Sequence, residues 1–253
     1  MCLFGYELEG GGIAAVEDLD IVKETLPRPQ PVAEDMKKNC LVIGGGSDIG
    51  RAVIAALSPE YDIFWTYCHT KVEQPGLGIR CDLRDEAQIR ELFAGIDSLD
   101  LVVTAAFPFL EADNLSYEGY LEAEKFLRAH VLCFTLAAER MTPGGKYFNM
   151  LGQCVERGLP GGAFYSASFA FLQNLGHSVN AREGKAGTFS VCDLLLGPCD
   201  TREWDGLPEE VFERYKDKCS QFISPEQVAA TVQFLNSQPV LPSTFKLDAY
   251  YGY

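Results

Sequence analysis

The sequence predicts a doubly wound α/β fold: a single parallel sheet with helices on both faces, preceded by an N-terminal extension. Three observations carry this reading. From residue 40 to the end, short apolar runs alternate with amphipathic segments of helical length. A glycine cluster, Gly44-Gly45-Gly46, stands between the first apolar run and the first helix. The 253 residues, 47% of them hydrophobic, suffice for one large domain without a disulfide or metal staple. Alternation at this spacing calls for right-handed crossovers, which lay the strands parallel.

Taken in order, Cys40–Ile43 reads as a buried strand, followed by the glycine turn and a helix over Ile49–Leu57. Asp62–Tyr67 is a second strand. Glu86–Ala94 is a helix, because Ile89, Leu92 and Phe93 fall on one face. Leu99–Thr104 is the next strand and Tyr117–Met141 a long helix, broken by Pro143-Gly144-Gly145. Lys146–Leu151, Phe164–Arg182, Thr188–Leu196, Pro225–Asn236 and Ser243–Leu247 continue the alternation to the carboxy terminus. Residues 40–253 thus form one domain.

Residues 1–39 differ in composition, with eight acidic residues against four basic ones. Pro27-Arg28-Pro29-Gln30-Pro31 favours an extended linker. Before it, Leu3, Phe4, Tyr6 and Leu8 suit a short strand or hook, and Ile13–Thr25 a short acidic helix. A flexible tail and an arm that packs on this or a neighbouring subunit both remain open.

The formal net charge of −15 argues against a nucleic-acid binder and against a polybasic membrane-surface protein. The most apolar stretch, Leu101–Leu110, is too short to span a bilayer. No secretory signal pattern opens the chain, so a cytoplasmic location is expected. The nine cysteines are odd in number, contain no C-x-x-C and sit partly in apolar runs, which suits thiols in a reducing compartment. His69, His130 and His177 are isolated, and no spacing asks for a metal.

The turn Gly44-Gly45-Gly46-Ser47-Asp48-Ile49-Gly50 lies where a doubly wound fold binds a pyrophosphate. Glycines let the backbone approach the ligand, and the helix N-terminus supplies N–H groups and a positive dipole end. With this turn, Cys81-Asp82-Leu83, Tyr165-Ser166-Ala167-Ser168, Pro225-Glu226-Gln227-Val228-Ala229 and Leu247–Gly252, the chain from about residue 40 resembles the short-chain dehydrogenase/reductase family. The resemblance implies a Rossmann-type sheet and a nicotinamide dinucleotide. Asp48 stands at the middle glycine of that family's T-G-x-x-x-G-x-G turn. The cofactor-contacting positions it implies are Gly44, Gly46, Ser47, Asp48, Ile49, Gly50, His69, Asp82, Thr104, Ala105 and Pro198. No carboxylate ends the second strand (Phe64–Thr70), so NADP is expected before NAD, and His69 or Thr70 faces a 2′-phosphate or is simply an exposed loop residue. That the chain binds neither also remains open.

In that family a Tyr passes the proton, a Lys four residues later lowers its pKa, a Ser polarises the carbonyl, and an Asn completes a relay. Tyr165 matches the first, but Phe169 stands at the Lys, Gly152 at the Ser thirteen residues before Tyr165, and His130 at the Asn. A free Tyr titrates near about 10, and without a cation nothing draws it toward neutrality. Tyr165, His130, Gln153 and Cys154 are then the candidate catalytic groups. His130 suits acid/base work and Gln153 donation to an oxyanion. Equally open are a satisfied helix histidine and an inert thiol. Three functions follow: atypical or non-redox chemistry on a small carbonyl or hydroxyl compound in a biosynthetic step, a non-catalytic partner of an active relative, or a conventional NADPH-dependent ketoreductase. The resemblance also implies association through the two long helices, as a homo-oligomer or with an active relative.

Overall fold

Strand β1 (Lys38–Ile43) shows why the chain folds in layers. Cys40 and Val42 point into an apolar cluster on one side of the sheet, and Leu41 and Ile43 into a second cluster on the other. The period of two in a strand buried on both faces makes it a near-continuous hydrophobic run. In this computed structural model the described residues are 37–107, 115–186, 189–206, 209–217, 219 and 221–248. The arm expected over residues 1–39 lies outside them apart from its last three residues, as do residues 249–253 of the expected carboxy-terminal motif.

The elements run β1, α1 (Asp48–Leu57), β2 (Tyr61–Tyr67), β3 (Leu77–Arg80), α2 (Glu86–Ala94), β4 (Leu99–Thr104), α3 (Tyr117–Ala138), β5 (Met141–Gly152), α4 (Cys154–Arg157), α5 (Ala163–Ala186), β6 (Phe189–Leu196), a 3-10 turn (Arg202–Gly206), α6 (Glu209–Lys216), α7 (Pro225–Ser237) and β7 (Thr244–Leu247). Every strand pair is parallel, and the order is β3-β2-β1-β4-β5-β6-β7. The doubly wound expectation is therefore what the chain adopts. The order reverses between β1 and β4, which opens a crevice at the carboxyl ends of the strands.

Local signals set the helix starts. Ser47, Asp85 and Ser116 accept from backbone N–H groups in the first turns of α1, α2 and α3. Ser224 and Gln227 form a capping box on α7, with Pro225 at its first position. Helices α1 and α7 cover one face; α2, α3 and α5 cover the other.

Four differences from the sequence reading have physical causes. Strand β3 escapes notice because it is four residues long, lies at the sheet edge and is only partly buried. Its Gly78 lies under Trp65, where a Cβ would come within 2.5 Å of the indole ring. Helix α3 ends at Ala138, and β5 starts at Met141 and runs through Pro143-Gly144-Gly145 rather than after it. The register shift between Leu99 and Leu101 absorbs those residues, with Gly144 at φ +81°. The short helices α4 and α6 and the 3-10 turn carry too little periodicity to be read from sequence.

Among the described residues the cysteines are free thiols, and Cys40, Cys81, Cys133, Cys192 and Cys219 are buried. No helix among these residues is long and apolar enough to cross a membrane.

Candidate functional site

A cavity of about 720 Å³ occupies the crevice, its wall built from the carboxyl ends of β1 to β6. At its centre is the glycine turn. Gly44 has φ +84°, and a Cβ there would come within 2.5 Å of the Ala106 Cβ. Glycine is the residue for such a conformation and such a close approach. Ser47 caps α1 by accepting from the Gly50 N–H (3.0 Å), and its hydroxyl lies 2.8 Å from the Gly44 carbonyl and 3.2 Å from that of Ala105. Asp48 and Ile49, the first residues of α1, line the cavity, and the first N–H groups of a helix have no intrahelical acceptor. This is the fit a diphosphate requires, with one addition: the Asp48 carboxylate lies on the same wall.

Of the cofactor positions named from sequence, Gly44, Ser47, Asp48, Ile49, His69, Asp82, Ala105 and Pro198 line the cavity. Gly46 and Gly50 are not among the lining residues; they shape the turn. Thr104 is also not on the wall. It is buried one residue below, with its hydroxyl 3.3 Å from the Phe148 carbonyl and 3.4 Å from Asn149 Oδ1.

The end formed by β2 and β3 carries His69, Asp82 and Arg84. Arg84 grips Asp82 with two guanidinium bonds of 2.9 and 2.7 Å, and this holds the Asp82 carboxyl down at about 2. Asp82 is thus ionised throughout the physiological range. Sequence reasoning missed Arg84; its only signal was a lone cation two positions after Asp82.

The opposite end is aromatic. Tyr165 and Phe169, one turn apart on α5, have ring centroids 4.5 Å apart, and Phe107 lies 5.5 Å from the first and 4.7 Å from the second. Phe169 is 3% exposed, and its ring covers Gly152 so closely that a Cβ there would meet it at 3.2 Å. Positions 152 and 169 are therefore coupled: the ring occupies the space into which a side chain at 152 would project. No lysine is among the described residues lining this cavity.

Three candidate catalytic groups are placed differently from what their chemistry suggested. His130 lies behind Phe107, their rings 5.0 Å apart, and does not line the cavity. Its Nδ1–H donates to the Phe126 carbonyl at 2.8 Å, and burial pushes its pKa down. It is a neutral, satisfied helix histidine, which corrects the acid/base expectation. Gln153 lines the cavity but spends its Nε2 on the Leu247 carbonyl (3.5 Å), leaving the buried Oε1 without a partner. The buried Oε1 is an acceptor left over, and the amide nitrogen keeps a second N–H beyond the one directed at Leu247. Burial pushes the Cys154 thiol up to about 12, so it is not a nucleophile at neutral pH. Iodoacetamide at pH 8 is expected to leave Cys154 unmodified in the folded protein, as peptide mass mapping would show. Tyr165 remains on the wall.

One polar row was not legible in the sequence. The register aligns Thr104, Asn149, Asp193 and Thr244 across β4 to β7. Asn149 Nδ2 donates to Asp193 Oδ1 at 2.9 Å, and His177 of α5 contacts Thr244 Oγ1 at 2.9 Å. Asp193 is fully buried, its Oδ2 has no hydrogen-bond partner, and His177 Nε2 is 3.7 Å from it.

Comparison with known proteins agrees with this geometry. No family model matches the chain. A short-chain dehydrogenase/reductase of Armillaria gallica is 25% identical over 231 residues, covering 78% of this chain and 88% of that protein. Over most of its length the chain is thus similar to a short-chain dehydrogenase/reductase. Among solved structures of similar fold, a dehydrogenase/reductase from Sinorhizobium meliloti superposes with a TM-score of 0.71 at 22% identity, covering 83% of this chain and 92% of that one. BdcA in complex with NADPH gives 0.73 at 21% identity, covering 85% and 94%. A short-chain dehydrogenase from Burkholderia cenocepacia in complex with NADP gives 0.71 at 22%, covering 84% and 96%. At these identities the solved structures establish the short-chain dehydrogenase/reductase fold.

Proposed function

We propose that the chain binds NADP in this crevice and acts on a small carbonyl or hydroxyl compound without a tyrosine–lysine proton relay. The observation that carries the second half is the seat of Phe169, whose ring packs against Tyr165 and over Gly152 on a wall that has no lysine among its described residues. A bound NADP supplies a hydride donor or acceptor at its nicotinamide. The chain supplies the glycine turn for the diphosphate, and His69 and the Arg84 guanidinium beside the adenosine end as hydrogen-bonding partners for a 2′-phosphate. Two proteins of this fold are solved with NADPH or NADP, which supports the same choice. Tyr165 serves as a hydrogen-bond donor to a substrate oxygen. The Phe107, Phe169 and Leu159 side chains beside it keep that end dry and apolar.

Titration by NADPH fluorescence tests the reading. NADPH is expected to bind in the micromolar range and NADH at least about tenfold more weakly, a difference of roughly 1.4 kcal/mol. Arg84→Gln is expected to remove most of that preference. Absence of NADPH binding at millimolar concentration would overturn the cofactor assignment. A bell-shaped pH–rate profile abolished by Tyr165→Phe would instead restore a conventional ketoreductase.

A further inference from the structure

The two lips of the crevice are tied together by one ion pair. Asp48, in the first turn of α1, and Arg202, in the segment after β6, both line the cavity. The Arg202 backbone N–H donates to Asp48 Oδ2 at 2.8 Å, its Nε to Oδ1 at 2.8 Å, and its Nη2 lies 2.7 Å from Oδ1. Burial alone would raise the Asp48 pKa; the Arg202 hydrogen bonds outweigh it and hold the carboxyl below its usual range. The carboxylate is thus a permanent charge. Arg51 lies near on the Asp48 side and Asp205 on the Arg202 side, and Glu203, next to Arg202, lines the same cavity.

This arrangement poses an electrostatic problem for the ligand. A diphosphate seated on the α1 N-terminus lies beside a carboxylate, and like charges at that separation repel. The lip opposite holds a guanidinium whose five donors exceed what one carboxylate can accept. We infer that Arg202 is a diphosphate-binding residue: in the free protein it is held by Asp48, and with a dinucleotide bound it bridges Asp48 and the phosphate oxygens. The inference rests on the reading that a dinucleotide occupies the crevice. Asp48 then has two opposed effects. It draws the segment Cys199–Gly206 over the crevice, and it competes with the ligand for the same cation.

The opposed effects make a test that a purely structural ion pair would fail. Hydrogen exchange of residues 199–206 is measured without ligand, and NADPH and inorganic pyrophosphate are titrated, for the wild type, Asp48→Asn and Arg202→Gln. Both variants are expected to exchange faster in that segment. Affinity for NADPH is expected to move in opposite directions: about three- to tenfold tighter for Asp48→Asn, and at least about tenfold weaker for Arg202→Gln. Pyrophosphate should follow the same pattern. If both variants weaken binding, or neither changes it, the pair only holds the segment in place and the inference is overturned. If the wild type binds no NADPH at all, the cofactor reading fails first. Pyrophosphate bound equally well by the wild type and Arg202→Gln then overturns the inference separately.

Discussion

Replacing Asp193 with Asn is expected to stabilise the protein at pH 8 and to flatten its stability between pH 4 and 8. Burial pushes the Asp193 carboxyl up to about 7, against the opposing hydrogen bond from Asn149. The unfolded chain releases this proton near about pH 4, while the folded chain holds it until about pH 7. Across that window the native state binds the extra proton, so stability falls as pH rises and is lowest above the folded pKa. A shift of about three units corresponds to about 4 kcal/mol at pH 8, and to less than half of that at pH 5. Asn keeps an acceptor for the Asn149 amide and removes the ionisation. Urea unfolding of Asp193→Asn and wild type at pH 5 and pH 8 checks this. A variant equal to or weaker than wild type at pH 8 would show that the ionised Asp193 carboxylate does not destabilise the fold.

Phe169→Ala is expected to cost about 3–5 kcal/mol, the usual range for emptying a buried phenyl site. The ring is enclosed by Leu151, Leu172 and Leu195 and by the aromatic faces of Phe107 and Tyr165, so the surroundings have little room to collapse. Gly152→Ser alone is also expected to destabilise, by about 1–3 kcal/mol, because its Cβ would meet Phe169 at 3.2 Å and Cys154 Sγ at 3.1 Å. In the double variant these penalties should not add: with the ring gone, the side chain introduced at position 152 has space, and the pair should be less destabilised than the sum. Additive costs in thermal unfolding would show that positions 152 and 169 are independent, and that the phenyl ring does not take the place of a side chain at 152.

Much of the fold was written locally. The alternation of strand and helix and the glycine turn each depend on residues within a few positions of one another, and local physics suffices to read them. The elements that escaped were those with too few residues to show a period, such as β3 and α4. The site divided along the same line. The glycine turn was legible because its contacts are with residues a few positions away.

What the tertiary structure alone decided are relations between distant residues. Whether His130 is an acid/base or a satisfied side chain depends on Phe107 standing between it and the cavity. How the Gln153 amide is oriented depends on the Leu247 carbonyl, 94 residues away. The Asp48–Arg202 pair spans 154 residues, and the row of Thr104, Asn149, Asp193 and Thr244 exists only through strand register. Sequence by itself determined a doubly wound sheet with a glycine turn leading into its first helix, because those are encoded in local pattern. The charge states and free valences of the site came from packing, since burial and hydrogen bonding across the sheet set them.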